Sequence, residues 1–324
     1  MQRRLLLCLA LSACAIVTDS ACRRSDAPSS DHRTATWLDI SPALGDPPQD
    51  PGYALALLQA FGSTTLRVRG VSVTFGIVPL VRGYPAAQEL VQRVDSGLRR
   101  AWRGASAPEE RGAPTEATEL LAEALSKESL TIVATGSVTT IASVLLRHPE
   151  RASRIDRVIV IAGRSLDGPA SPPSGGGQAD GNADVDPASM QVLLDSPVAL
   201  TLVRPGPGSG AVLDTADLER LDAGHGPIKL ITPSARAWLQ AVTTRGGATA
   251  FPVPAMLAVD AAAHPGQVRC EPAVASLSPP GGPGRHVQVT NFAAGRRVNW
   301  CHTADAGART RMVDDVLRVR PVAR

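Results

Sequence analysis

The residues that could do chemistry gather in one early stretch, "WLDISPALGDPPQDPGYALALLQAF", Trp37 to Phe61. Asp39, Asp46 and Asp50 are spaced through a proline-rich turn between an apolar strand and an Ala/Leu-rich helix. Carboxylates at a strand end and a helix start suit hard-cation binding or general-base work. Each also has a plainer role. Asp39 is a pocket residue or a turn former. Asp50, directly before Pro51, reads as a helix N-cap, and Asp46 as a solvated loop carboxylate. A second polar cluster, Asp180 and Asn182, lies in the Gly/Pro-rich loop "GPASPPSGGGQADGNADVDP". Asn182 either holds a ligand hydroxyl or caps its own turn. His264 and His302 lack an acidic partner at catalytic spacing and read as surface residues. The stretch "GSVTT" after a strand could cradle an anion at a helix start, but one glycine among small hydroxyls carries little information.

The elements needed to position these residues follow from the apolar pattern. Val/Ile/Leu-rich runs at Thr36–Ile40, Leu66–Phe75, Leu130–Thr135, Val158–Ala162 and Val198–Val203 read as strands buried on both faces. Between them the spacing predicts helices over Pro51–Phe61, Pro85–Arg99, Thr115–Leu125, Val138–Arg147, Pro187–Leu194 and Pro254–Ala263, with a short capped helix from Asp214. Such alternation implies an α/β fold with a mostly parallel central sheet flanked by helices. Toward the C-terminus "SLSPPGGPGRHVQVTNF" reads as a hairpin loop in a β-like extension. The glycine-rich loop follows a strand, which places it at the carboxyl end of the sheet, where open α/β proteins bind ligands.

The chain has 324 residues, enough for one large α/β domain, with 33 basic and 30 acidic residues. The charges form no basic stripe and aromatics are 3% of residues, so nucleic acid is not an expected partner. The N-terminus, "MQRRLLLCLALSAC", has two arginines, a short apolar run and a Leu11-Ser12-Ala13-Cys14 box. It resembles a bacterial lipoprotein signal, with an ordinary secretory signal as the alternative. The expected organisation is a signal at residues 1–14, a polar tether at 15–34, one domain at 35–303 and a tail at 304–324. Lipid at Cys14 would make a membrane of the cell envelope a partner without a spanning helix. Cys270 and Cys301 either pair in an oxidising compartment or remain buried thiols.

The order of segments resembles the inosine/uridine-preferring nucleoside hydrolase family from about Trp37 to Thr303. "LRVRGVSVTFGIVPL" is similar to its second strand and following turn, and "LTIVATGSVTTIASVLL" to its strand, turn and helix. "IDRVIVIAG" and "ADGNADVDPASMQVLLDSPVALTLV" match two further strands and an Asn-bearing segment between them. The resemblance implies hydrolysis of the N-ribosidic bond of nucleosides to ribose and base, with one calcium ion and an aspartate that activates water.

Carried over residue by residue, the resemblance implies a depleted site. The opening Asp-x-Asp motif falls on Asp39 and Ser41, so the calcium-binding, water-activating position is a serine. The Asp-Asp pair beginning the first helix falls on Gly52 and Tyr53. The third calcium carboxylate falls on Ala255, and Asp260 lies five residues beyond it, about 140° round a helix. The implied survivors are the backbone carbonyl of Thr135 for the metal, with Asn182, Asp180 and Asp39 toward a nucleoside or ribose-like small molecule. The expectation at this point is no cofactor, although the family uses calcium, and catalysis that is impaired or absent.

Overall fold

The structure, a computed structural model, describes residues 31–45, 49–167, 182–206, 209–280, 285–291 and 294–323. The signal, Cys14 and most of the tether lie outside them, as do Asp46 and Asp180. From Arg33 onward the chain is a single compact unit.

Its first half alternates as the apolar pattern implies. Strand β1 (Thr34–Ile40) leads to α1 (Gly52–Gly62), β2 (Leu66–Val73), α2 (Leu80–Arg93), β3 (Trp102–Arg103), α3 (Glu116–Lys127), β4 (Leu130–Ala134), α4 (Thr139–Arg147) and β5 (Ile155–Ile161). Then follow β6 (Arg164–Ser165), α5 (Asn182–Val185), α6 (Pro187–Asp195), β7 (Leu200–Val203), β8 (Val212–Asp214), α7 (Thr215–Ala223) and α8 (Ile228–Gly246). The remainder is β9 (Ala250–Pro252), α9 (Pro254–Ala263), β10 (Arg269–Leu277), β11 (Val287–Thr290), β12 (Arg296–Thr303) and α10 (Ala308–Leu317). Among the described residues no helix is long and apolar enough to cross a membrane.

One sheet carries the molecule, in the order β3-β2-β1-β4-β5-β7-β12-β10-β11-β6. From β3 to β12 every pairing is parallel, while β10 runs antiparallel to both β12 and β11. The expected α/β class with a β-like C-terminal extension is what forms. Alternation along β1 sends Leu38 and Ile40 into the apolar core shared with α1 and α9, and Trp37 into the core shared with α3 and α4. With helices on both faces, β4 is buried along its whole length.

Three helices depart from the apolar reading. Helix α2 begins at Leu80, so Pro85 lies inside it rather than at its start. Helix α8, with Pro233 inside it, is not among the expected helices; Pro233 carries no N–H to donate within the helix. Residues 304–324, expected as a tail, instead carry α10, whose Met312, Val313 and Val316 join the core beside α1. Beyond it Val322 N–H donates to the Arg93 carbonyl at 3.0 Å. The hairpin expected near the end is β10–β11, and the cysteines that could pair do so: Cys270 and Cys301 face each other across β10 and β12 and form a disulfide.

Candidate functional site

Parallel pairing of β1 with β2 and β4 sets Asp39 opposite Ser72 on one side and Ala134 on the other. The chain after β4 then turns over the end of β1. Thr135 and Gly136 N–H both point at the Asp39 carbonyl, at 2.8 and 3.3 Å. Gly136 packs so tightly there that an added Cβ would lie 3.2 Å from the Ser41 Cβ and overlap the Thr74 side chain. Gly76, at φ +146°, lets the neighbouring turn approach Ser137, whose N–H donates to the Phe75 carbonyl at 2.9 Å. Thr74 and Ser137 hydroxyls bond each other at 2.8 Å beneath. Asp39, Ser41 and Thr135 are therefore brought together at the carboxyl ends of β1 and β4, as expected for an open α/β sheet.

Asp39 is fully buried. Its Oδ1 accepts from Ser72 Oγ at 2.6 Å, and Ser72 Oγ accepts in turn from Trp37 Nε1 at 2.8 Å. Oδ2 has no hydrogen-bond partner, nor does the buried Thr135 Oγ1. Burial pushes the Asp39 carboxyl up to about 7, against the lowering effect of the Ser72 hydrogen bond. Ser41, also fully buried, spends its hydroxyl on the next turn: Val78 N–H donates to Oγ at 3.3 Å, and Oγ donates to the Val78 carbonyl at 3.4 Å.

The start of α1 forms an adjoining wall. Asp50, just before the N-cap Pro51 rather than at it, accepts from Gly52 N–H on its Oδ1 at 2.8 Å. Gly52 lies against Val253, and so against the start of α9 that holds Ala255. Tyr53 and Ala255 are both buried. Burial, with the Asp50 charge added, raises the Tyr53 phenol beyond its ordinary range, so it stays neutral. Asn182 opens α5. Asp186, the α6 N-cap, accepts from Thr139 Oγ1 at 2.7 Å and from Arg111 Nη1 at 3.1 Å, tying α6 to α4.

Some residues fall elsewhere. Asp260 faces α10, where Arg311 Nη2 lies 2.7 Å from its Oδ2. His264 is not a free surface residue: its Nδ1 is 2.9 Å from Asp260 Oδ1, the i,i+4 spacing of one helix face. His302 lies 3.3 Å from Glu271. Ser72 was missed by sequence reasoning and had no local signal, since it meets Asp39 only through β1–β2 register. Trp37 could have been found, because residues two apart on a strand share a face.

Residues 46–316 match the inosine-uridine preferring nucleoside hydrolase family. The chain belongs to that family. A pyrimidine-specific ribonucleoside hydrolase from Salmonella enteritidis is 28% identical over 215 residues, covering 56% of this chain and 66% of that protein. The equivalent protein of Salmonella arizonae is 32% identical over 173 residues, covering 52% of each. The chain thus spans less than two thirds of the length of these curated relatives. Among solved nucleoside hydrolase structures, the inosine-uridine preferring enzyme of Bacillus anthracis superposes with a TM-score of 0.67 at 14% identity, covering 89% of this chain and all of that one. A purine-preferring ribonucleoside hydrolase from Gardnerella vaginalis gives 0.68 at 16% identity, covering 88% and 98%. At such identities the superpositions establish the nucleoside hydrolase fold.

Membership corrects one expectation. The sequence reading anticipated no cofactor, whereas the nucleoside hydrolase family is calcium-dependent, so calcium is the cofactor that membership implies. The donor set at the positions that the resemblance assigns to the calcium carboxylates does not fit that ion. Ser41 offers a hydroxyl already bonded to Val78, Tyr53 a neutral phenol and Ala255 a methyl group. Among the described residues no three His, Cys, Asp or Glu side chains are grouped to hold a metal. Calcium favours about 6–8 oxygen ligands, with carboxylates supplying much of the affinity.

Proposed function

We propose that this nucleoside hydrolase family member binds a nucleoside or ribose-like small molecule and hydrolyses it poorly or not at all. The observation that carries the reading is Ser41. It stands where the resemblance puts the water-activating aspartate, and its hydroxyl is held by the Val78 backbone. A serine hydroxyl without a base cannot take a proton from water at neutral pH. Binding needs less than catalysis, and the resemblance assigns Asn182, Asp180 and Asp39 to the sugar. Calorimetry with uridine, inosine and ribose, paired with assay of released base, tests this. Binding without release is expected, and Asn182→Ala should weaken it about tenfold, the worth of one good hydrogen bond. Absence of binding by every probe would contradict the reading.

A second reading, an active hydrolase with a rearranged site, draws on the buried Asp39, whose Oδ2 lacks a protein partner, and on the buried Asp50 at the start of α1. Base release abolished by Asp39→Asn would favour it.

We further propose export with lipid on Cys14, anchoring the protein at the bacterial cell envelope. Its support is the Leu11–Cys14 box, and the Cys270–Cys301 disulfide accords with an oxidising compartment. Mass spectrometry of the mature protein should find an acylated N-terminal Cys14. A mature chain beginning at another residue, or retaining Met1, would refute it.

A further inference from the structure

The disulfide lies where its state can reach the candidate site. Cys270 and Cys301 are cross-strand partners near one end of the β10–β12 ladder, where the register also shifts between Arg269 and Cys270. Only Arg269 and Thr303 pair beyond them. Fastening a ladder near its end suppresses fraying at that end, where unaided pairs open most readily.

That end of β12 holds the chain that leads to Val253 and the start of α9. The Cys301 carbonyl accepts from Arg204 N–H at 2.9 Å, at the end of β7. Ala304 N–H donates to the Ser209 carbonyl at 2.7 Å, and Ser209 Oγ accepts from Ala211 N–H at 3.4 Å. The Ala211 carbonyl accepts from Val253 N–H at 2.9 Å, and β8 pairs with β9 just before Val253. Val253 then packs on Gly52 and leads into α9 and Ala255. An unbroken series of short contacts thus joins the disulfide to the segment facing α1.

We propose that Cys270–Cys301 is a redox-controlled clasp on the segment that seats Val253 against Gly52 at the start of α1. Cys270 is exposed while Cys301 is fully buried, so an external dithiol meets the Cys270 sulfur first. Its thiolate attacks Cys270 Sγ, the Cys270–Cys301 bond breaks, and Cys301 leaves as a thiolate that takes up a proton. The second thiol of the reductant then displaces Cys270, so the reductant leaves as a disulfide and the protein gains two electrons and two protons. With the clasp open the end of β12 frays, and the Ser209 and Ala211 contacts that seat Val253 loosen with it.

Hydrogen exchange on the folded full chain, before and after reduction with dithiothreitol, measures this. The amides of Arg204, Ala211, Val253 and Ala304 are expected to exchange at least tenfold faster after reduction, while those of β1 and β4 keep their rates. The Cys270→Ser/Cys301→Ser variant should match the reduced protein and ignore dithiothreitol. Unchanged rates at those amides would overturn the clasp. Acceleration spread evenly over the sheet would overturn it too, since it would mean a general loss of stability. Reduction of the already folded protein gives the answer even if the double variant fails to fold.

Discussion

Ser41→Asp, Tyr53→Asp and Ala255→Asp introduced together are expected to raise calcium affinity by orders of magnitude over that of the unmodified chain. Ser41 lies at the end of β1 beneath the β4 turn, Tyr53 at the start of α1 and Ala255 at the start of α9, and α1 meets α9 where Gly52 lies against Val253. In the one metal site that the resemblance implies for these positions, three carboxylates would repel one another until a divalent ion neutralised them, so the ion-free variant should be less stable than the parent. Truncating the buried Tyr53 ring adds a packing loss of about 3–5 kcal/mol. Calcium then stabilises the variant by mass action, about 2.7 kcal/mol at a hundredfold excess over its Kd. Thermal unfolding with and without calcium reads this directly. A calcium-dependent rise in Tm is expected for the triple variant, far larger than for the parent. Each single substitution should do little, because one carboxylate does not make a site and residues that act as a unit are not additive. Nucleoside hydrolysis, if it returns, should return only in the triple variant. Equal calcium responses in parent and triple variant would show that these positions do not form the metal site.

The second large effect concerns Asp39 and pH. Its carboxyl is pushed from an ordinary value near 4 to about 7 by burial, so the folded chain binds its proton more tightly than the unfolded chain does. The stability this contributes is complete below about pH 4 and is lost as pH rises toward 7, levelling off beyond it. A shift of this size corresponds to about 4 kcal/mol. Asp305 runs the other way: its hydrogen bond from Arg311 depresses it to about 2, so its contribution is lost in acid. Comparison with Asp39→Asn, which cannot titrate, isolates the one group. Denaturant unfolding at pH 5 and pH 8 should show the parent losing stability relative to Asp39→Asn by a few kcal/mol. Parallel curves for the two proteins would mean that Asp39 is ionised in the folded state throughout.

The parallel half of the fold was legible because its signal is local. Continuous Val/Ile runs and proline-led helix starts mark β1, β4, β5, α6 and α9 within a residue or a few of where they form. Helix α8 was hidden by Pro233, and α10 by a stretch rich in charge whose apolar residues gain meaning only against α1. Of the residues the resemblance singles out, Asp39, Ser41 and Thr135 lie together at the strand ends, and Gly52 faces the start of α9. What holds these residues was not legible. The Ser72 bond to Asp39 depends on strand register, the hold of Val78 on Ser41 joins residues 37 apart in sequence, and the Arg311–Asp260 pair joins residues 51 apart. The pairing of Cys270 with Cys301 was open for the same reason, until β10 and β12 set the two opposite each other.

The most direct test of the central claim is release of base from inosine and uridine by the unmodified, folded chain, with calcium present and after a chelator. With Ser41 in place of a base, release is expected to stay at the uncatalysed rate under both conditions, even at enzyme concentrations matching substrate. Turnover with calcium that the chelator abolishes would contradict the account, and would mean that the ion and the attacking water find carboxylates elsewhere than at Ser41, Tyr53 and Ala255, where the resemblance puts them.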